Sequence, residues 1–366
     1  MIFASTYKDK KVLVTGHTGF KGSWLTTWLL KLGAKVTGVS IDIPTQPAMF
    51  EVLSLAGQIK HIQADIRDLT AMRDLIAAEQ PDFVFHLAAQ AIVSVSYSDP
   101  VDTMTTNFVG TMNILEALRK LERPCVAVLI TSDKCYDNVE WEWGYRETDG
   151  LGGKDIYSGS KGATELLIKS YLHSFFQNGH PVRLAVGRAG NVIGGGDWAK
   201  DRIVVECMRA WSEGRPAEIR SPQATRPWQH VLEPLSGYLT LGQSLFEQIK
   251  LHGEAYNFGP RAEQNHTVVD LLNDLGQFWN FSNPNEAYQV TDNIPFHEAG
   301  LLKLNCDKAL LHLKWESNLE YSETVQLVGD WYTKFYREKD DMHSMTLGQI
   351  SFYERMGTER NRVWTK

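Results

Sequence analysis

Two residues spaced by about one helical turn are the clearest candidates for chemistry in this chain. Tyr157 and Lys161 stand four positions apart in the segment Tyr-Ser-Gly-Ser-Lys, so on a helix they share one face. A free phenol has a pKa of about 10 and is a poor base at neutral pH, but a nearby ammonium stabilises the phenolate and lowers this pKa. The pair predicts a tyrosine that removes a proton from a substrate hydroxyl, with a helical surface pair as the simpler alternative.

Three polar residues follow the fifth predicted strand, which spans residues 125–131. Ser132, Asp133 and Lys134 would lie at the carboxyl edge of the sheet, where α/β proteins bind ligands. We expect Ser132 to pair with Tyr157 around a substrate hydroxyl. Asp133 and Lys134 add two proton-transfer groups, which suit an elimination that needs one base and one acid. An exposed ion pair in a loop is the alternative for these two charges.

A glycine-rich segment lies between the first predicted strand, residues 11–15, and a predicted helix over residues 22–32. A dinucleotide fold needs glycines here for a tight turn, for close approach of the backbone to a pyrophosphate, and for packing of the helix on the strand. The N–H groups at the start of the helix would face the phosphates. The predicted cofactor residues of this segment are Gly16, Thr18, Gly19, Phe20, Lys21 and Gly22.

The ends of the next strands supply further predicted cofactor contacts. Asp42 stands twenty residues after Gly22, where a carboxylate would bind the adenosine ribose and repel a 2'-phosphate, so NAD is favoured over NADP. A surface aspartate in a proline-containing loop is the alternative. The third strand ends in residues expected near adenine, and the fourth ends in residues whose small side chains let the backbone approach the cofactor: Asp65 and Ile66, then Leu87, Ala88 and Ala89.

The order of these elements predicts the fold class. Short apolar runs alternate with helical patterns, which is typical of an α/β protein with a Rossmann-type, doubly wound parallel sheet and helices on both faces. We expect residues 1–187 to form this NAD-binding domain, with a segment near 230–260 that returns to it. The alternation then stops, so residues 188–229 and 261–366 are expected to form a smaller, mixed α/β lobe that binds the substrate.

Composition and charge exclude several classes of function. The 366 residues include 37 basic and 44 acidic ones, for a net charge of −7, whereas a nucleic-acid-binding protein usually carries a basic patch. The four cysteines form no C-x-x-C pair, and no cluster of His, Cys and acidic residues has metal spacing, so we expect no metal. No apolar run approaches the roughly 20 residues of a membrane span. We therefore expect a cytoplasmic protein whose partners include neither nucleic acid nor membrane.

Polar residues after the sixth predicted strand are the candidates for substrate binding. A glycine-rich turn at residues 194–196 could cradle a diphosphate with its backbone amides, and Asn191 could orient it. Arg202 and Arg226 could form fork-like contacts with phosphate oxygens. His230 could stack on a base or line a sugar pocket. For each of these residues, packing in the core is an equal alternative.

Several motifs resemble one branch of a known superfamily. The G-x-x-G-x-x-G spacing that starts at Gly16, together with Tyr157 and Lys161, resembles the extended short-chain dehydrogenases/reductases, which include nucleotide-sugar epimerases and dehydratases. In the dehydratases Asp-Glu commonly follows the Ser or Thr, and the Asp-Lys that follows Ser132 resembles the CDP-glucose 4,6-dehydratase branch. Longer segments that resemble the same branch are residues 16–24, 88–94, 188–198 and 226–231.

The resemblance implies dehydration of CDP-D-glucose to CDP-4-dehydro-6-deoxy-D-glucose by an internal redox reaction with NAD. Tyr157 would deprotonate the sugar 4-hydroxyl while hydride leaves C4, and the hydride would later return to C6. Asp133 would act as the acid, and Lys134 as the base at C5 or as its electrostatic support. Lys161 could also hold the nicotinamide ribose. The remaining residues that the resemblance places in the substrate site are Gln90 and Ser94.

Other functions stay open at this point. A nucleotide-sugar 4-epimerase would use Ser132, Tyr157 and Lys161 but release no water, and a dehydratase could act on another nucleoside-diphosphate hexose. A non-catalytic dinucleotide-binding regulator is a further alternative. The resemblance also implies a homodimer or higher homo-oligomer built from helices near residues 101–121 and 157–177, and a product used for 3,6-dideoxyhexoses of bacterial surface polysaccharide.

Overall fold

The computed structural model describes residues 1–177, 179–261, 263–281, 283–291 and 301–366. Its central feature is a seven-stranded sheet. The strands are β1 (Lys11–Thr15), β2 (Lys35–Ser40), β3 (Lys60–Gln63), β4 (Phe83–His86), β5 (Cys125–Ile130), β6 (Val182–Arg188) and a seventh strand, Ala255–Asn257. Across the sheet the order is β3, β2, β1, β4, β5, β6 and the seventh strand, and every neighbouring pair is parallel.

Helices connect these strands and continue beyond them. Within the described residues the α-helices are α1 (Phe20–Lys31), α2 (Met49–Val52), α3 (Leu69–Glu79), α4 (Val93–Ser98), α5 (Pro100–Met104), α6 (Gly110–Leu118), α7 (Ile156–Phe175), α8 (Ile203–Ser212), α9 (Leu232–Glu247), α10 (Val268–Gly276), α11 (Pro284–Ala287), α12 (Asp307–Leu313), α13 (Tyr321–Thr333) and α14 (Met342–Glu359). Short strand pairs join Val192–Ile193 to Gln229–His230, Thr225–Arg226 to His266–Thr267, and Ala217–Ile219 to Tyr288–Val290.

The sheet is buried on both faces. Successive residues of a strand point to opposite faces, and in β1 the side chains of Val12 and Val14 pack in one apolar core with α1 and α9. Leu13 points the other way and packs in a second core with α3, α6 and α7. Strands covered on both faces are expected to be almost continuously apolar, as β1, β4 and β5 are, whereas the edge strand β3 is polar and largely exposed. The predicted α/β class and Rossmann-type, doubly wound sheet are confirmed.

Most predicted elements of the first half are present, with ends shifted by one or two residues. The strand predicted over residues 11–15 is β1, and the helix predicted over residues 22–32 is α1 with its start moved by two residues and its end by one. The helix predicted near residues 101–121 is present over residues 100–118, where a π-helical turn, Thr105–Val109, joins α5 directly to α6. The sequence pattern does not predict the seventh strand, which has only three residues.

Tryptophans join α1 to the residues that follow β6. The Trp24 indole N–H donates to the Gly195 carbonyl oxygen at 2.9 Å, and the Trp28 indole N–H donates to Glu354 Oε1 at 2.9 Å. Both rings are fully buried. The C-terminal helices are thereby held against the helix that begins at the glycine-rich turn. Among the described residues, no helix has the length and apolar character that crossing a bilayer requires.

Candidate active site

The turn after β1 packs tightly on itself and on the end of β4. Gly16 has a φ of +74°, and a Cβ at this position would lie 2.8 Å from the Ala88 Cα. A Cβ at Gly22 would lie 2.1 Å from the Gly16 carbonyl oxygen. Both positions therefore require glycine. Gly19 is the residue before α1, so the unpaired N–H groups of the first helical turn face the carboxyl edge of the sheet, where they can bind an anion.

Hydrogen bonds connect this turn to the end of β2. The Thr18 hydroxyl donates to the Asp42 carbonyl oxygen at 2.7 Å, and the Thr18 N–H donates to Ser40 Oγ at 3.4 Å. The Asp42 side chain itself is exposed at this edge. The structure therefore places Asp42 beside the glycine-rich turn, and its contact with a ribose stays a prediction.

The residues predicted near adenine already have partners. The Arg67 guanidinium donates from Nε to both carboxylate oxygens of Asp65, at 3.0 and 2.8 Å. Ile66 is buried against Gly110, where an added Cβ would lie 2.4 Å from the Ile66 Cδ1. An adenine contact of either side chain stays a prediction. After β4, the Leu87 N–H donates to the Thr15 carbonyl oxygen at 3.2 Å and the Ala88 N–H donates to Thr15 Oγ1 at 3.1 Å. Ala89 follows directly, and the cofactor contacts of all three residues stay predictions.

Phe20 and Lys21 begin α1 and lie near the residues that follow β6. An added Cβ at Gly194 would lie 3.1 Å from the Phe20 Cζ. Burial lowers the pKa of Lys21 to about 8, and the positive charge of Arg202 acts in the same direction, whereas Asp133 opposes it. The structure therefore places Lys21 among the charges of the candidate active site, beyond the cofactor role that its position in the motif predicts.

Helix α7 brings Tyr157 and Lys161 alongside the end of β5. The Asp155 side chain accepts from the Ser158 N–H at 2.9 Å and fixes the start of this helix. The Lys161 Nζ lies 5.8 Å from the centre of the Tyr157 ring, and the two residues are only 6 and 8 % exposed. The Ser132 side chain lies close enough to Tyr157 to lower the pKa of its phenol. The structure thus brings the three predicted residues together.

The protein alone does not make the tyrosine more acidic, so that expectation is wrong. Burial raises the pKa of Tyr157 to about 12, and the negative charge of Asp133 adds to this. The Ser132 side chain and the positive charge of Arg202 act in the opposite direction. Burial also lowers the pKa of Lys161 to about 8. Removing water disfavours the charged form of both groups, which the spacing of two residues in a sequence does not reveal.

Asp133 and Lys134 form a short turn directly after Ser132. The Ser132 hydroxyl donates to Asp133 Oδ1 at 2.9 Å and accepts from the Lys134 N–H at 3.2 Å. Asp133 is buried, and among the described residues no ion pair joins it to Lys134. An added Cβ at Gly190 would lie 1.8 Å from Asp133 Oδ2, so the absence of a side chain at Gly190 makes room for the carboxylate. The exposed loop pair considered from the sequence is therefore not what forms.

Three predicted substrate residues form hydrogen bonds with other side chains of the protein. The Gln90 side-chain amide donates to Thr103 Oγ1 at 2.8 Å, and the Ser94 hydroxyl donates to Asp201. Arg202 donates from Nη1 to Asp197 Oδ2 at 2.6 Å, while its charge also acts on the phenol. Arg202 therefore lies closer to the catalytic residues than its predicted phosphate contact requires.

The other predicted substrate residues differ in their surroundings. Asn191 is partly exposed and has a φ of +52° in the turn after β6. Arg226 lies in a two-residue strand and donates from Nη1 to the Thr225 carbonyl oxygen at 2.9 Å. His230 is fully buried and meets the Trp24 ring edge-on at 5.7 Å. The predicted substrate contact at His230 is wrong for this structure, because the ring packs in the core.

Asn107 is a site residue that the sequence analysis misses. It lies in the π-helical turn between α5 and α6, where its amide donates to Ser160 Oγ at 2.8 Å. Its Oδ1 accepts from the Gln90 N–H at 2.9 Å. Asn107 therefore links the loop after β4 to the catalytic helix. The signal in the sequence is a single amide within a helical pattern, which does not identify a role without the fold.

Comparison with known proteins identifies the family. Residues 13–328 match the family model described as GDP-mannose 4,6 dehydratase. The chain belongs to this family. It is 44% identical over 346 residues to the CDP-glucose 4,6-dehydratase of Salmonella typhimurium, which covers 93% of this chain and 95% of the relative.

Solved structures of related enzymes share the fold of this family member. The dTDP-glucose 4,6-dehydratase of Bacillus anthracis in complex with NAD has a TM-score of 0.74 at 19% identity, over 90% of this chain and 98% of the other. The UDP-glucuronic acid 4-epimerase of Bacillus cereus, in complex with UDP-glucuronic acid and NAD, has a TM-score of 0.75 at 22% identity, over 89% of this chain and 100% of the other. Within the described part of the chain, no group of His, Cys, Asp and Glu could hold a metal ion.

The close approach of Gly190 to Asp133 yields a first prediction. Gly190→Ala should lower the rate of water release by about 100-fold, because the new methyl group must displace the carboxylate from its place beside Ser132. The rate is measured from product mass under saturating substrate. Gly150→Ala is the matched control, since no atom lies within 4 Å of an added Cβ there. A folded Gly190→Ala protein with more than half of the normal rate would contradict this role.

Proposed function

We propose that this enzyme is a hydro-lyase that converts CDP-D-glucose to CDP-4-dehydro-6-deoxy-D-glucose. The observation that carries the proposal is the buried cluster in which Ser132 contacts both Tyr157 and Asp133, with Lys134 next in the chain. Tyr157 can start an oxidation by taking the proton of a hydroxyl, and Asp133 and Lys134 can complete an elimination. The 44% identity with a CDP-glucose 4,6-dehydratase over most of both chains supports this reaction and this nucleotide.

The cofactor of this enzyme is NAD. The residues present fit this cofactor. Gly16 and Gly22 have no side chains, so the turn can pack closely on itself, and no side chain at these two positions stands between a pyrophosphate and the backbone N–H groups. We infer that Asp42, exposed beside this turn, binds the adenosine ribose. Bound NAD supplies a hydride acceptor for C4 and a hydride donor for C6 of the same sugar.

The protein residues move the protons that accompany these hydride transfers. Tyr157 accepts the proton of the sugar 4-hydroxyl, which Ser132 orients, and the resulting 4-ketone acidifies the proton at C5. Lys134 removes that proton, and Asp133 protonates the C6 hydroxyl so that water leaves. Lys134 then returns a proton to C5. Because Ser132 contacts both Tyr157 and Asp133, the proton gained by the phenol can replace the one that the carboxyl gave up.

The main alternative is a nucleotide-sugar 4-epimerase, since solved epimerases share the fold. An epimerase moves one hydride and one proton and has no use for a buried acid beside the serine. The space that Gly190 leaves for the Asp133 carboxylate favours the dehydratase.

The function is tested by the products formed from a panel of sugar nucleotides. The purified protein with NAD is incubated with CDP-glucose, UDP-glucose, dTDP-glucose and GDP-mannose, and the products are weighed by mass spectrometry. We expect the loss of one water from CDP-glucose and at least about tenfold slower loss from the other three. An isomer of unchanged mass would identify an epimerase, and no change in any sugar nucleotide would leave only a dinucleotide-binding protein.

The separate roles of the tyrosine and the lysine give a further prediction. Tyr157→Phe should abolish both cofactor reduction and product formation, because no group accepts the proton of the 4-hydroxyl. Lys134→Met should still reduce the cofactor but release water about 100-fold more slowly or worse. Reduced cofactor is followed by absorbance and product by mass.

Lys169→Met, an exposed lysine on the catalytic helix, is the control and should behave as the wild type. If the variants at Tyr157 and Lys134 lose the same step, the assignment of separate roles is wrong.

We also propose that the enzyme forms a homodimer or higher homo-oligomer through α5 and α7. Val101 on α5 and Leu166 and Phe175 on α7 are apolar and are 71, 55 and 44% exposed. Such a patch favours association with a second copy. The free cysteines fit a reducing cytoplasm, and we infer that the product serves 3,6-dideoxyhexose synthesis for the O-antigen of bacterial lipopolysaccharide.

Sedimentation tests this assembly. The wild type should sediment as a dimer or larger species at micromolar concentration, and Leu166→Glu should shift it toward the monomer because the new charge would be buried in the interface. Leu311→Glu, at a leucine on α12 that is 66% exposed, should leave the assembly unchanged. A monomeric wild type would contradict the proposal.

A further inference from the structure

A buried ion pair lies behind the catalytic side chains. Arg188, the last residue of β6, donates from Nε to Glu165 Oε1 at 2.8 Å and from Nη2 to Glu165 Oε2 at 2.9 Å. Both side chains are only 4% exposed. Burying two charges costs free energy that their attraction only partly offsets, so a stability role alone does not account for the pair. The contacts that the two side chains make with neighbouring residues therefore indicate their role.

The ion pair contacts both ends of the turn that carries the catalytic residues. The Thr131 hydroxyl donates to Glu165 Oε1, and Arg188 Nη1 donates to the Tyr136 hydroxyl at 2.7 Å. Thr131 and Tyr136 flank the turn of residues 132–135 on its two sides. Because Glu165 belongs to α7 and Arg188 to β6, the pair fixes the position of this turn relative to the catalytic helix.

Glu165 also lies one helical turn beyond Lys161 on α7. Burial lowers the pKa of Lys161 to about 8, and the negative charge of Glu165 opposes this change. The groups that face Lys161 are Tyr157 and Glu165 on its own helix, Cys135 after β5, Lys21 at the start of α1 and His86 at the end of β4. Burial raises the pKa of the Cys135 thiol far above neutrality, which leaves Glu165 as the anion among these groups.

We propose that Glu165 and Arg188 are positioning residues for the dehydration: they hold Ser132, Asp133 and Lys134 against α7 and supply the negative charge that keeps Lys161 an ammonium beside Tyr157. Neither residue touches the substrate. The proposal rests on the proposed function and adds to it the groups through which the catalytic residues are placed. The two residues contribute differently. Glu165 holds the turn and also supplies a negative charge near Lys161, whereas Arg188 only holds the turn.

Two variants distinguish these contributions. Glu165→Gln keeps the shape but removes the charge, so kcat for CDP-glucose should fall at least about tenfold with little change in KM, and the alkaline limb of the kcat profile should move about one pH unit toward neutrality. Arg188→Lys keeps a cation but loses the two-pronged contact and the bond to Tyr136. It should lower kcat without moving the alkaline limb.

Glu116→Gln is the matched control, since it removes the carboxylate of an ion pair on α6 and should leave kcat and its pH profile unchanged. Thermal unfolding and NAD binding establish that each variant is folded. A folded Glu165→Gln protein with the kcat and the alkaline limb of the wild type would overturn the proposal. A lower kcat with an unmoved limb would overturn the electrostatic part.

A measurement without turnover separates this proposal from the proposed function. The pH dependence of Lys161 acetylation by acetic anhydride, followed by peptide mass spectrometry, reports the protonation of the lysine even if CDP-glucose is not a substrate. The midpoint should lie about one pH unit lower in Glu165→Gln than in the wild type. Equal midpoints would overturn the role of Glu165, whereas an inactive wild type with shifted midpoints would overturn only the function.

Discussion

The proposed mechanism requires Tyr157 to become a phenolate in a place from which water is largely excluded. Burial raises the pKa of the phenol to about 12, against the opposing effects of Ser132 and Arg202. A base is useful only when its pKa lies near the working pH. In the proposed mechanism, the positive charge of the nicotinamide ring of bound NAD would further lower this pKa.

The parallel sheet explains how residues from distant parts of the chain meet at this tyrosine. The carboxyl ends of β1, β4, β5 and β6 lie along one edge, so the glycine-rich turn, the small residues after β4 and the turn after β5 lie at the same edge of the sheet. Helix α7 packs on one face of the sheet and also contacts the turn after β5. Buried polar contacts then set the finer placement, with Asn107 linking α7 to the loop after β4 and Gly190 leaving room for the Asp133 carboxylate.

The sequence predicts what depends on local pattern and misses what depends on distant contacts. Alternating apolar runs and glycine spacing are local, and they predict the sheet, the turn and the grouping of Ser132 with Tyr157. The burial of His230 against Trp24 is set by residues far apart in the chain, and so is the contact between Glu165 and Arg188. The direction of the Tyr157 pKa shift depends on burial for the same reason. The pattern over residues 101–121 conceals the π-helical turn, because nothing in it signals a locally wider helix.

The most direct test of the central claim follows one hydrogen atom. CDP-glucose carrying deuterium at C4 is mixed with unlabelled CDP-glucose that has a ¹³C-labelled hexose, and the products are analysed by mass spectrometry and NMR. If the hydride makes a round trip within a single sugar, deuterium appears at C6 of ¹²C product alone. Deuterium left at C4, lost to solvent or transferred to the ¹³C product would contradict the account.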